Sequence, residues 1–190
     1  MIETIVLVIS LLLILLLVFI IGRAVIKKQK IIGRPPIPVI YFLLGKMLVV
    51  VNLTFLLLKG LNITVYRIFN PNLIIDIIAL VFLSIGVIIL FLSAIEMNKD
   101  LIFGLSSSDK HQLHTKGVFR LSRHPFYLGF IFILFSSCLF NPNLINIGAF
   151  AGAWYIHHLI MINEEQFLLI QYGEAYRQYM KKVKRYITLK

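Results

Sequence analysis

The chain has 190 residues, of which 59% are hydrophobic and only 14% charged, where a soluble domain carries about 25% charged residues. A mean hydropathy of +0.92, gathered into long apolar runs, excludes an ordinary soluble domain and marks a membrane protein. The net charge of +11 does not point to nucleic acid, because the basic residues sit at the ends of apolar runs, where they orient helices and meet anionic lipid.

The apolar runs predict an all-α integral membrane protein with about five transmembrane helices, covering about residues 4–22, 39–58, 73–95, 126–140 and 144–162. Spanning takes about 20 apolar residues. The fourth run is short, at the border of a re-entrant segment, and is expected to form a tight hairpin with the fifth. The first run has Glu3 before it, and Arg23, Lys27 and Lys28 after it. That is not a signal-peptide pattern, so a retained helix with its N-terminus outside is expected. Residues 1–190 read as a single membrane domain.

Basic residues crowd into three segments: 23–38, 96–125 and the tail after Gly173. The opposite face has Lys59 and Arg67, and Lys46 lies inside the second span. By the positive-inside rule the middle loop and the C-terminus are cytoplasmic. Lys46 and Asp76 are near opposite helix ends and read as structural. Gly148 and Gly152 form a small-xxx-small pair suited to close helix approach.

One string occurs twice, as Phe69-Asn70-Pro71-Asn72-Leu73-Ile74 and as Phe140-Asn141-Pro142-Asn143-Leu144-Ile145. Each copy precedes an apolar run. Asn caps helices and Pro suits a first helical turn, so the copies look like two uses of one turn chemistry. The sole cysteine, Cys138, lies within an apolar run and reads as a small hydrophobe. After Gly173 the spacing of Tyr176, Tyr179, Val183 and Tyr186 predicts an amphipathic interfacial helix, with the alternative of a helix folded over a cytoplasmic pocket.

Two polar clusters at the ends of apolar runs predict a single site at the membrane surface. The first is His111 to Tyr127; the second is Asn163-Glu164-Glu165, which leads into Gly173. Pro125 disfavours helical geometry at His124, and Gly117 permits a positive φ. His111, His114 and His124 do not have the spacing of a helical zinc pair, and no metal is expected. His157 and Glu164 are two helical turns apart and share a face, as do His158 and Glu165.

The order His111-x-Leu113-x-x-x-Gly117-x-Phe119-x-x-x-Arg123-His124-Pro125-x-Tyr127, then Glu164-Glu165, Gly173-x-x-Tyr176-x-x-Tyr179 and Lys184-Arg185, resembles the isoprenylcysteine carboxyl methyltransferase family and the related phospholipid N-methyltransferases. The likeness covers about residues 104–187. It implies a membrane methyltransferase that uses S-adenosylmethionine, with its C-terminal helix covering a cofactor pocket. The acceptor would be a lipophilic small molecule or a prenylated group drawn from the membrane lipid phase.

The resemblance further implies cofactor contacts from His111, Gln112, Leu113, His114, Gly117 and Phe119. His124, Pro125, Phe126 and Tyr127 would line the pocket, and Glu164 would hold a polar group of the cofactor. Catalytic roles fall to His124, Glu165 and His157, each a candidate for proton removal from an amine or phenol acceptor. Carboxyl methyltransferases of the family carry an arginine where this chain has Ile160, and the usual tyrosine after the glycine is Phe119. Two other readings stand beside this one. A non-catalytic binding protein of the same fold is one. An NADPH-dependent membrane reductase is the other, since sterol reductases share an Arg-His-Pro-x-Tyr element.

Overall fold

The computed structural model describes residues 1–26, 35–63, 65–97 and 113–188. Among these the protein is all α-helical: α1 (Ile2–Ile26), α2 (Val39–Gly60), α3 (Leu73–Met97), α4 (Pro125–Phe140), α5 (Leu144–Tyr172) and α6 (Glu174–Lys182), with one 3-10 turn at Gly117–Arg120. Four of them, α1, α2, α3 and α5, are long and apolar enough to cross a membrane. Their outer faces expose Leu12, Leu15, Phe19, Ile74 and Ile88, as a surface solvated by lipid must.

The fifth predicted span, α4, is a shorter apolar helix of 16 residues, about 24 Å at the α-helical rise. It is the central helix, with ten of its sixteen residues buried, so neighbours rather than length give it an apolar surround. Gly86 of α3 and Gly129 of α4 let these two backbones approach closely. A Cβ on either would lie 2.8 Å from the other's carbonyl oxygen. Val6, Leu13, Leu56, Leu83, Leu90, Ile133 and Phe140 fill the core around this crossing. The small-residue pair expected to mediate packing is only half used: Gly152 abuts Leu48, whereas Gly148 faces open space.

The repeated string does the same work twice. Oδ1 of Asn72 accepts from the Ile75 amide at 3.0 Å, and Oδ1 of Asn143 accepts from the Asn146 amide at 2.9 Å. Both are N-cap bonds. Pro71 and Pro142 each sit one residue before the cap, not in the first helical turn as expected. The second copy makes the tight hairpin between α4 and α5, where Asn141 donates to the Phe55 carbonyl at 2.7 Å. Asn146 donates to the Ser137 carbonyl at 2.9 Å, and Ser137 donates to the Asn52 carbonyl at 2.8 Å. These buried amides and hydroxyls satisfy one another across helices, which water cannot do there. Cys138 is buried in the same cluster.

At this end of the bundle Lys59 pairs with Asp76 at 3.1 Å and Glu3 at 3.3 Å. Three helix ends thereby meet at one ammonium. Asp76 is thus structural, as read from the sequence, and Lys59 is its partner rather than a free loop charge.

The fifth predicted span ends later than expected. α5 runs ten residues past Ile162, to Gly173 at φ +52°. Its 29 residues measure about 43 Å, against about 30 Å of hydrocarbon. The Asn163-Glu164-Glu165 cluster therefore lies within a continuous helix that outruns the bilayer core. Beyond Gly173, α6 is the amphipathic helix expected, although it stops at Lys182 and leaves Tyr186 on the following segment.

Candidate active site

The end of the bundle opposite Lys59 gathers the C-terminal turn of α3, the start of α4, the last third of α5, and α6 with its tail. His124 is the non-helical residue before Pro125, at φ −128° and ψ 61°, as the proline demands. Its amide donates to Ser122 Oγ at 3.0 Å, and Ser122 donates to the Arg185 carbonyl at 2.8 Å. The Arg123 amide donates to the Lys184 carbonyl at 3.0 Å, and the Thr188 amide to the Leu121 carbonyl at 2.8 Å. Backbone pairing thus clips the tail to the loop that leads into α4.

Two carboxylates of α5 converge on His124 from one side. Its Nε2 lies 3.1 Å from Glu165 Oε1, and its Nδ1 3.6 Å from Glu164 Oε2. Tyr127, one turn into α4, donates its hydroxyl to Glu164 Oε1 at 2.8 Å. Glu165 is held on both oxygens by Arg185, Nε to Oε1 at 2.9 Å and Nη2 to Oε2 at 2.8 Å. Arg123 Nη2 adds a contact at 3.4 Å. Adjacent acids therefore have different surroundings: Glu165 is saturated by cations, whereas Glu164, which also feels Lys46 of α2, accepts one phenol hydrogen bond and lies farther from the imidazole.

Among the described residues, Arg123 also presents Nε and Nη1 with no hydrogen-bond partner, and both atoms are buried. The Tyr176 hydroxyl is buried without a partner as well. Burial pushes the Tyr176 and Tyr179 phenols well above their ordinary range, so both are neutral donors. Tyr179 uses its proton on the Phe119 carbonyl at 2.6 Å. The hydrogen bonds to Glu165 hold the Arg185 guanidinium above its ordinary value.

Not every residue singled out from the sequence meets these carboxylates. His111 and Gln112 lie outside the described residues. Leu113 and Phe119 pack with Tyr176, Tyr179 and Val183 beneath α6. The His114 ring stacks on Phe119 with centroids 5.6 Å apart. Gly117, at φ +53°, opens the 3-10 turn, and any Cβ there would collide with the Glu96 carboxylate. Phe126 turns onto another face of α4 and joins the core with Leu90 and Ile133. His157 is one helix layer deeper, its ring centroid 5.6 Å from that of Tyr127. His158 meets the tail instead, with Nδ1 2.6 Å from the Tyr186 hydroxyl.

Four participants were not among the candidate residues: Glu96, Ser122, Arg123 and Arg185. Glu96 accepts from the Val118 amide at 3.1 Å. An acid closing an apolar run was its only local signal. Arg123 and Arg185 read as part of the positive-inside excess, which hides individual pairings.

Residues 74–175 match the family model for phospholipid methyltransferase. Over 76 residues the chain is 34% identical to protein-S-isoprenylcysteine O-methyltransferase of Dictyostelium discoideum, covering 40% of this chain and 32% of that protein. Over 109 residues it is 30% identical to a probable protein-S-isoprenylcysteine O-methyltransferase of Oryza sativa subsp. indica, covering 56% of this chain and 57% of that protein. The matched part thus spans between about a third and somewhat over half of these curated relatives. No solved structure matches the chain significantly. The family match takes in α3, α4, α5 and the first residues of α6, and with them His124, Tyr127, Glu164 and Glu165. With more than half of its length and its whole carboxylate cluster inside that match, the chain belongs to the phospholipid methyltransferase family, in the company of the isoprenylcysteine methyltransferases that its motif order resembles.

Proposed function

We propose that this protein transfers a methyl group from S-adenosylmethionine to a lipophilic acceptor at the membrane surface, with the site and C-terminus cytoplasmic and the N-terminus outside. One observation carries the reading. Beside a saturated Glu165, Glu164 is a partly buried carboxylate oriented by Tyr127 and His124 but not consumed by them. The orientation rests on the basic segments at this end.

The residues present suit the cofactor's functional groups. Glu164 offers acceptor capacity for an ammonium or a ribose hydroxyl. Arg123 Nε and Nη1 and the Tyr176 hydroxyl are buried donors without partners among the described residues, the complement that a carboxylate needs. Leu113, His114, Gly117, Phe119, Pro125 and Tyr127 would form the walls, with His111 and Gln112 added by the motif likeness. When bound, the cofactor supplies a methyl group already activated on a sulfonium, so no nucleophile–base triad is required of the protein.

The chain's own contribution is alignment and exclusion of water. Glu165 acts through others: its hold on Arg185 and His124 sets the tail against α4 and fixes the imidazole. His124 braces both carboxylates. Calorimetric titration of detergent-purified protein with S-adenosylmethionine and S-adenosylhomocysteine tests the reading. Saturable binding that weakens at least tenfold in Glu164→Ala and His124→Ala is expected. Folded protein that binds neither compound would refute it.

A further inference from the structure

His157 is a buried titratable group on α5 that the site described above does not use. It lies on α5 two turns from Glu164, about 10 Å deeper along the helix axis. Its Nδ1 is 2.7 Å from the carbonyl oxygen of Ala153. A carbonyl only accepts, so Nδ1 carries the proton, and in the neutral ring the lone pair belongs to Nε2. Bonding back to the fourth preceding carbonyl is a common way for a helix to accommodate a polar side chain. Here it satisfies one nitrogen and leaves the other, in an apolar layer, with no hydrogen-bond partner among the described residues. Unlike Arg123 Nε, His157 Nε2 is not among the sealed atoms.

The surroundings make room for this ring and polarise it. Gly45 of α2 packs against this layer: a Cβ would crowd Ile156 Cγ2 at 2.7 Å and would make ordinary contact with His157 Cε1 at 3.7 Å. The titratable groups recorded against His157 are Lys46 from α2 and Tyr127 from α4, and Glu164 lies two turns further along the same helix face. Tyr127 has its proton engaged on Glu164, and Lys46 is felt by both Glu164 and His157. The spare acceptor capacity of Glu164 is given to the cofactor in the reading above, and in this deeper layer the bonding of His157 leaves the Nε2 lone pair for an incoming proton. Ile160, one turn along, is fully buried among Phe42 and Ile156 and offers an acceptor's charge nothing.

We propose that His157 Nε2 is the proton acceptor for the incoming nucleophile, and hence that the methyl acceptor is an amine, phenol or thiol rather than a carboxylate. This rests on the methyltransferase reading above. The nucleophilic atom gives its proton to Nε2, and its electron pair forms the bond to the methyl carbon. The pair of the broken methyl–sulfur bond stays on sulfur. The proton leaves Nε2 after the product departs.

Two measurements test this on the full chain in detergent. In 15N-histidine spectra without cofactor, the His157 signals, identified by their loss in His157→Gln, should show Nδ1 protonated and Nε2 bare at pH 7.5. A ring protonated on Nε2 overturns the proposal. Labelled-methyl transfer is then measured to isoprenyl-tailed compounds ending in an amine, a phenol, a thiol or a carboxylate. We expect transfer to a proton-bearing class, with kcat lower by about 100-fold in His157→Gln, little change in KM, and loss of the acidic limb of the pH profile. Glutamine keeps a donor for Ala153. Should that variant not fold, the wild-type spectra and acceptor panel still decide. Methylation of the carboxylate acceptor alone, or an unaltered rate in His157→Gln, overturns the proposal and leaves the methyltransferase reading standing. Folded wild-type protein that binds no S-adenosylmethionine overturns both.

Discussion

The guanidinium of Arg185 grips both oxygens of Glu165, at 2.9 and 2.8 Å, and ties the tail beyond α6 to the last third of α5. Glu165 is buried and Arg185 about a quarter exposed, so the bidentate pair is screened on one side only. Its loss leaves a carboxylate facing His124 and Arg123 with fewer donors. We expect Arg185→Ala to destabilise the folded protein by about 2 kcal/mol, the range for hydrogen bonds to charged groups reduced for partial exposure. Arg185→Lys, unable to form the fork, should recover less than half of that. Thermal unfolding in detergent reads the stability, and protease cleavage after Lys181 or Lys182 reads release of the tail.

Gly117 and Glu96 form a second, tighter relationship. The positive φ at Gly117 alone makes other residues strained, and a side chain would also collide with the carboxylate that accepts from the Val118 amide. Gly117→Ala should therefore cost about 2–3 kcal/mol and weaken cofactor binding, because the loop that carries His114 and Phe119 must move. Glu96→Gln keeps an acceptor for Val118 and should be nearly neutral in a melting experiment. Equal damage from both changes would remove the special role given to the glycine.

The Tyr179 hydroxyl, donating to the Phe119 carbonyl at 2.6 Å, fixes the 3-10 turn beneath α6. At neutral pH Tyr179→Phe should cost about 1 kcal/mol. Burial raises the phenol's pKa in the folded protein, so its contribution is full below the unfolded value of about 10. It is lost as pH rises toward the folded value, because only the unfolded chain ionises in between. The gap between wild type and Tyr179→Phe should consequently narrow above pH about 10, as followed by denaturant titration. A gap that widens with pH would contradict the assignment.

Much of the helical layout was legible because its signals are local. Pro38 marks the start of α2, Asn72 caps α3, and Pro125 forces the turn at His124. α5 outruns the predicted span, which was closed where hydropathy falls at Asn163. A fall in hydropathy marks the edge of hydrocarbon, not the end of a helix. Glu164 to Tyr172 are good or tolerable helix formers, and only Gly173 stops them. The convergence of His124, Tyr127 and Glu164 was readable from motif order, but the packing of Phe126 into the core was not. Neighbours on a helix point about 100° apart, and the pattern alone does not say which one faces the carboxylates. The contacts of Gly86 with Gly129 and of Arg185 with Glu165 join distant parts of the chain and leave no local trace.

The Gly86–Gly129 crossing gives a direct packing test, since each backbone occupies the space of the other's missing side chain. Gly86→Ala or Gly129→Ala should force α3 and α4 apart and cost about 1–3 kcal/mol, the usual range for overpacking. Gly148→Ala, which would meet nothing within 4 Å, is the matched control and should leave the melting temperature unchanged or slightly higher. An equal loss at Gly148 would mean that helix propensity in lipid, not interhelical distance, governs all three positions.

The Lys59 ammonium, between Asp76 and Glu3 at the far end of the bundle, allows stability to be separated from catalysis. Lys59→Met leaves Asp76, with one carboxylate oxygen already buried and unpaired, without its cation. Breaking such a pair costs about 3–5 kcal/mol when it is fully buried. Glu3 is a third exposed, so the lower end of that range is expected. Asp76→Asn added to Lys59→Met removes the stranded charge and should recover most of the loss. Because α1, α2 and α3 meet here and the carboxylate site lies at the other end, the double variant should bind S-adenosylmethionine as wild type does once folded. A double variant as unstable as Lys59→Met would mean that the lysine acts by packing over the Phe140 ring, 5.6 Å from its Nζ, rather than by its charge.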